Sequence, residues 1–367
     1  MNELPYTDPK TLGVDPNRLK RAEDLLTKAV ENKDTPGAVG LVLYKKNIIA
    51  HYAVGFRSIL PQKTLVSQDT IYDLASVSKC VGTTTAALML LEQGKIRLDD
   101  SVAYFFPEFS GDKAHIRLRH LLTHTSGLPA WLPIYKNTCD RESWKNALAK
   151  TELEYKTDSK VVYSCLGYIL LGLILEKVAG ETLDSFLNRE LFEPLGMKDT
   201  GYNIAPSKLE RIAPTEYSPE RKYIITGEVH DENAYSIGGV SGNAGLFSTA
   251  YDLSLFSAML LNEGIWDNKQ YLTPHTLNLM NQNHTAHLND NRGLGWVKKG
   301  EYSSGGDLLT EASFGHTGFT GTSLWLDPKL DLAIILLTNR VHPTREGENG
   351  VIRLRALFSN AVVASLP

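Results

Sequence analysis

Residues 72–80 read YDLASVSKC, and within them Ser76 precedes Lys79 by three positions. The stretch DTIYDLAS leading into this motif has the β-branched and aromatic character of a strand, and the residues after it carry helical spacing. Residues at i and i+3 share a helix face, so the Lys79 amine is expected beside the Ser76 hydroxyl. A helix N-terminus also presents unpaired N–H groups and a positive dipole end, both favourable to a developing oxyanion. A serine hydroxyl is a poor nucleophile without a base, and lysine serves as one only when its surroundings lower its pKa. The bland alternative is a capping serine followed by a solvated lysine. The same spacing recurs at Ser110 and Lys113, in the loop FSGDK, where nothing holds the pair together.

Working outward, Asp15 and Pro16 open a first helix, NRLKRAEDLLTKAV, with a cap and a first-turn proline. GAVGLVLYKKNIIAHYAVG follows, two β-rich runs around Lys45-Lys46-Asn47 that read as a hairpin. Beyond the motif come helical patterns, among them IRLRHLLTHTSGL, ESWKNALAKTELEYK and YSCLGYILLGLILEKVAG, mostly stopped by Gly or Pro. The Gly-rich segment SIGGVSGNAGLFST leads to another helix, and strands return in GLGWVKKG, GTSLWLDP and LDLAIILLTNR before a final amphipathic helix. Strands at both chain ends around a helical block predict an α/β fold with one antiparallel sheet built from distant segments. The expected division is a sheet domain from residues 1–75 and 285–367 and a mainly helical domain from 76–284, with the site at their interface.

The 367 residues carry a formal charge of −4, which gives no electrostatic reason to expect nucleic acid as a partner. Three scattered cysteines, Cys80, Cys139 and Cys165, form no C-x-x-C pair and favour a reducing compartment. The first residues, MNELPYTDPKTLGVD, lack the basic flank and apolar run of a signal peptide, so a cytoplasmic location is expected. YILLGLILEKVAG and LAIILLTNR are too short to span a bilayer. Nothing indicates an oligomeric state.

Two further segments bear on the chemistry. VVYSCLGYILLG puts Tyr163 at the start of the longest apolar helix, where a phenol could reach the serine; the alternative is a core aromatic. FGHTGFTGTSLWL sets His316-Thr317-Gly318 at a strand start, where Gly318 lets a substrate backbone approach and the Phe319 N–H could serve as half of an oxyanion hole. The alternative there is an ordinary strand-opening turn.

Ser76-x-x-Lys79, Tyr163-Ser164-Cys165 and His316-Thr317-Gly318, in this order, resemble the class C β-lactamase and penicillin-binding protein superfamily. LLTHTSGLP, LFEPLGMKDTGY and GLFSTAYDLSLF extend the resemblance over nearly the whole chain. It implies a β-lactamase-like fold, no cofactor and no metal. It also implies that Ser76 is the acylated nucleophile, that Lys79 and Tyr163 share the proton work, and that the Ser76 and Phe319 N–H groups form the oxyanion hole. Cys165, His316, Thr317 and Gly318 would then contact a small-molecule ester, amide or peptide.

Two positions depart from the pattern. Cys165 stands where many relatives have an asparagine that holds the lysine and a substrate amide, and a thiol is a poor substitute. His316 stands where lysine is common; near its usual pKa it is mostly neutral, so carboxylate recognition should be weaker and pH-dependent. Both point away from β-lactams and toward a serine hydrolase of carboxylic esters, or of amides or peptides of cell-wall type. The alternatives are a D,D-peptidase or β-lactamase and, outside catalysis, a penicillin-recognising sensor that acylates without turnover. GEVHDENAYSIGGVSGNAGLFST and LLTNRVHPTREGENG resemble a branch that includes cell-wall-sugar amidases, with His230, Asp231, Asn233 and Asn243 either facing the cleft or ordering loops. His120 and His124 have the i, i+4 spacing of a metal pair, but the glutamate of H-E-x-x-H is missing, no third ligand is obvious, and a helix-packing or loop-ordering role is favoured. G-x-S-x-G, G-x-x-x-x-G-K-[ST] and G-x-G-x-x-G are all absent.

Overall fold

The computed structural model describes residues 3–300, 303–347 and 349–367; Met1, Asn2, Glu301, Tyr302 and Glu348, the last within LLTNRVHPTREGENG, lie outside them. Helix α1, Pro16–Glu31, is capped by Asp15, whose carboxylate accepts the Asn17 N–H at 2.9 Å. Strands β1, Gly37–Tyr44, and β2, Asn47–Ser58, pair as a hairpin. Its turn residues, Lys45 and Lys46, both have positive φ (47° and 60°), the geometry a tight hairpin requires.

With β3 (Thr64–Leu65), β4 (Val297–Lys298), β5 (Phe314–Thr317), β6 (Ser323–Asp327) and β7 (Leu332–Thr338), these form one antiparallel sheet in the order β4-β5-β6-β7-β1-β2-β3. The C-terminal strand β7 therefore pairs with the N-terminal β1, Leu41 opposite Ile335. That register places early and late chain segments side by side.

β1 and β7 are buried along their whole length because both sheet faces are covered. Strand alternation divides their side chains between two cores. Ala38, Val42, Ile334 and Leu336 meet Leu26 of α1 and Phe358 of the C-terminal helix, while Val39, Leu41, Ile335 and Leu337 join the larger core that the helical region fills. The helices that matter for the site are α2 (Thr85–Glu92), α3 (Cys165–Ala179), α4 (Ala250–Leu261) and α5 (Gly350–Val363). Among the described residues no helix is long and apolar enough to cross a membrane.

Two local expectations change. The stretch DTIYDLAS contributes only the Tyr72–Asp73 pair, and it joins Phe247–Ser248 in a separate ribbon rather than the main sheet. The motif is also no regular helix start: Ala75–Val77 is a 3-10 turn, and Lys79–Thr84 is a π-helical stretch that widens into α2.

Gly40 on β1 faces the second core tightly, since a Cβ there would lie 2.8 Å from Phe358 Cζ. Gly40→Ala should therefore destabilise the fold by about 1–3 kcal/mol through overpacking. Combining it with Phe358→Leu should recover part of that loss in a denaturant-unfolding double-mutant cycle, whereas simple additivity would show that the two positions do not share the space.

Candidate active site

Ser76 sits on a backbone held in an uncommon conformation. Ala75, immediately before it, has φ 47°, a region L-residues with a side chain rarely occupy. Its N–H donates to the buried Asp73 carboxylate at 2.8 Å, and the other oxygen of that carboxylate accepts the His230 N–H at 2.7 Å. A second restraint comes from the turn after β5. Thr320 donates to the Asp73 carbonyl at 2.7 Å and Thr322 to the Leu74 carbonyl at 2.9 Å. Gly318 lies against the same backbone: a Cβ on it would stand 2.4 Å from the Leu74 carbonyl oxygen. The glycine thus admits the chain's own Leu74–Ala75 backbone, where the sequence had suggested a substrate backbone. The turn that carries Phe319 is thereby fastened to the one that carries Ser76.

The Lys79 side chain is fully buried. Its Nζ donates to Ser76 Oγ at 3.2 Å, to the Asn243 carbonyl at 2.8 Å and to Cys165 Sγ at 3.6 Å. Three acceptors for three N–H bonds describe an ammonium. Burial opposes that charge, yet Cys165 and Tyr163 beside it outweigh the opposition, and the net shift of the lysine pKa is upward. Burial also raises the Cys165 thiol and the Tyr163 phenol, the latter against the pull of Lys79. Cys165, at the first position of α3, thus replaces the expected asparagine with a weak acceptor, and the Asn243 main chain supplies the strong one.

Lys79 Nζ lies 4.9 Å from the centroid of the Tyr163 ring, and the His316 ring is 5.8 Å from it. The Tyr163 hydroxyl is buried without a hydrogen-bond partner among the described residues, and so is His316 Nε2. His316 Nδ1–H donates to the Thr317 carbonyl at 2.8 Å, which leaves Nε2 as an acceptor. Burial, reinforced by Lys79 and Arg292, pushes the imidazole down to about 3. His316 is therefore neutral across the neutral pH range, which removes the pH-dependent carboxylate recognition expected from an ordinary histidine.

A beta-lactamase family model matches residues 22–357. The chain belongs to the beta-lactamase family. It is 33% identical over 362 residues to the N-acetylmuramyl-L-alanine amidase of Bacillus subtilis (strain 168), covering 89% of this chain and 81% of that protein. It is 31% identical over 378 residues to an Escherichia coli (strain K12) protein named for D-alanyl-D-alanine carboxypeptidase activity, covering 92% and 86%. The solved structure of EstCE1, a hydrolase with promiscuous acyltransferase activity, matches with a TM-score of 0.76 at 25% identity, over 95% of this chain and 99% of that one. The chain is a serine hydrolase of this family.

In this beta-lactamase-family chain the cleft at Ser76 has two lobes, and the half-exposed Phe319 lines both. One, of about 380 Å³, is bounded by His316, Thr317, Arg292, Arg340 and Arg355. Arg355 is held by the Gly318 and Thr322 carbonyls, and burial lowers it to about 10. Arg292 keeps Nε and Nη1 buried without hydrogen-bond partners among the described residues, its nearest carboxylate being Asp290 at 3.7 Å. The other lobe, of about 250 Å³, is bounded by Trp131, Cys165, His230, Asp231, Glu232 and Arg345. There His230 bonds Glu216 at 3.0 Å, and Arg345 also grips that carboxylate; burial would raise Glu216, but these two partners bring it down to about 2.

Of the four loop residues singled out in the sequence, His230, Asp231 and Asn243 border this second lobe, whereas Asn233 does not. Asn233 is fully buried and ties the Leu132 carbonyl and the Tyr135 N–H, a loop-ordering role. His120 and His124 do not act as a pair: His120 Nδ1 accepts the Arg117 N–H and His124 Nδ1 the Ser164 N–H. Sequence reasoning missed Asp73, Arg292, Arg340 and Arg355. The signal for Arg355 was there to find, a charge on the buried face of the amphipathic α5.

Gly318→Ala should lower stability by about 1–3 kcal/mol and reduce turnover together, because the Cβ must push on the Leu74–Ala75 backbone; denaturant unfolding and ester hydrolysis measure the two. His316 imposes a pH signature on stability. Its folded pKa lies below its unfolded value near 6.5, so the stability is fully present above that pH and is lost as pH falls toward about 3. The melting temperature should therefore fall on acidification below pH 6.5, and His316→Gln should show a shallower fall.

Proposed function

We propose that this serine hydrolase works through an acyl-Ser76 intermediate and cleaves amides or peptides of cell-wall type, as well as simple carboxylic esters. The observation that carries the reading is the buried Lys79 ammonium bonded to Ser76 Oγ. Ser76 Oγ attacks the substrate carbonyl carbon once the Lys79–Tyr163 pair, which titrates as one coupled unit, has given one proton to solvent and stands as an ammonium beside a phenolate; the Ser76 proton passes to that phenolate. Tyr163, protonated again beside the ammonium, returns that proton to the departing nitrogen or oxygen. The N–H groups of Ser76 and Phe319 receive the oxyanion on the tetrahedral intermediate. Water then attacks the acyl ester, the same pair accepting its proton, and Ser76 is regenerated.

Substrate class is read from the first lobe. His316 is neutral and brings no charge, but Arg292, Arg340 and Arg355 surround the same cavity, and guanidinium groups suit a carboxylate. The two relatives named for amide and peptide cleavage support the same class, and EstCE1 supports ester chemistry. The exposed face of Trp131 in the opposite lobe offers an apolar platform for the other side of the substrate.

Intact-protein mass spectrometry after exposure to esters, muramyl peptides and penicillins should show an acyl adduct on the wild type and none on Ser76→Ala. Hydrolysis that survives Ser76→Ala would sink the mechanism. The upward shifts of Lys79 and Tyr163 predict that kcat/KM for a neutral ester rises with pH through the alkaline range, as the pair loses a proton. No inflection should appear near pH 6.5, and one that His316→Gln removed would overturn the neutral assignment of His316.

A further inference from the structure

We propose that His124 is the positioning residue for Tyr163, clamping the main chain on both sides of it so that the phenol stands at Ser76. This rests on the role given to Tyr163 above. His124 belongs to the stretch HLLTH, whose spacing is that of a metal pair and whose expected role is helix packing or loop ordering.

Two hydrogen bonds from one residue bracket the tyrosine. The Val162 N–H donates to the His124 carbonyl at 2.9 Å, and the Ser164 N–H donates to His124 Nδ1 at 3.0 Å. Residues 162 and 164 are thus fixed to a single neighbour, with Tyr163 between them. The imidazole also packs on the phenol it positions, ring centroids 4.5 Å apart, and on Tyr168 at 5.0 Å. Tyr168 belongs to α3 and donates to the Leu122 carbonyl, so the platform beneath the imidazole is itself anchored.

A histidine that merely filled space would need neither a particular backbone nor a particular tautomer. His124 needs both. Its φ is 60°, in the left-handed region that His, Asn and Asp tolerate better than most side chains, and this bend turns its carbonyl and its ring toward the same strand of chain. Because Nδ1 accepts a main-chain N–H, the ring is the neutral Nε2–H tautomer. Protonation at Nδ1 would delete the Ser164 bond. Burial first, then Arg292, Lys79 and His316, hold the imidazole well below its ordinary pKa and so preserve that acceptor.

Asn and Gln variants separate positioning from packing. His124→Asn puts an amide oxygen near the place of Nδ1 and accepts the left-handed backbone, whereas His124→Gln moves its oxygen one atom further out. A displacement of about 1 Å at a catalytic group is enough for losses near 100-fold. His124→Gln should therefore lower kcat for ester hydrolysis by about that factor with little change in KM, and His124→Asn should restore most of it. Amide hydrogen exchange at Val162 and Ser164 reads the clamp without any reaction: Ser164 should exchange faster in the Gln variant and stay protected in the Asn variant. Equal losses in the two variants, or kcat losses that simply follow the melting temperature, overturn the proposal, as does unchanged exchange at Ser164. The underlying reading has its own check. Full kcat in Tyr163→Phe overturns the role of Tyr163, whereas an impaired Tyr163→Phe beside a fully active His124→Gln overturns the clamp alone.

Discussion

A fully buried ammonium must find an acceptor for each of its three protons or give one up, because burial takes away bulk solvation. Lys79 finds three, and each comes from a different part of the chain. Ser76 belongs to its own turn, Cys165 opens α3, and Asn243 lies in the Gly-rich loop that precedes α4. Placing one charge in the interior therefore fixes the relative position of three segments separated by up to 164 residues. The opposite wall of the cleft is set by uncharged bonds, those from Thr320 and Thr322 to the carbonyls of residues 73 and 74. The site exists where these two sets of restraints meet.

Much of this was legible along the sequence, for local reasons. The Asp15 cap, the Lys45-Lys46 hairpin turn and the helical register of α3 are each specified within a few residues. The unbroken apolar runs of β1 and β7 were visible as strands, and the two buried faces explain why they do not alternate. Ser76, Lys79, Tyr163 and His316 were legible through the order of three motifs, a resemblance that no spacing rule alone would have supplied. What stayed hidden depends on contacts across the fold. Asp73 supports Ala75 and His230 at once, and Arg292 reaches the cavity from the position just ahead of GLGWVKKG, a run that reads as a strand and gives no sign of the cavity. The DTIYDLAS strand failed because its partner is Phe247–Ser248, and sequence carries no mark of which strands will meet.

The charge pattern of the cleft follows from the same buried lysine. A second ammonium at position 316 would sit beside Lys79, with Tyr163 between them, and would compete for acceptors already in use. A neutral imidazole avoids this repulsion, and the charges of Lys79 and Arg292 in turn help to keep it neutral. Positive charge then enters the cleft from elsewhere, from α5 through Arg355 and from the loops through Arg292 and Arg340. Arg292 stands 5.9 Å from the centroid of the Tyr163 ring, about as near as the His316 ring at 5.8 Å, so positive charge remains beside the cleft although position 316 is neutral. On the proposed mechanism, the exchange of lysine for histidine passes the recognition of charge from β5 to these arginines and leaves the proton chemistry at Ser76 to Lys79 and Tyr163.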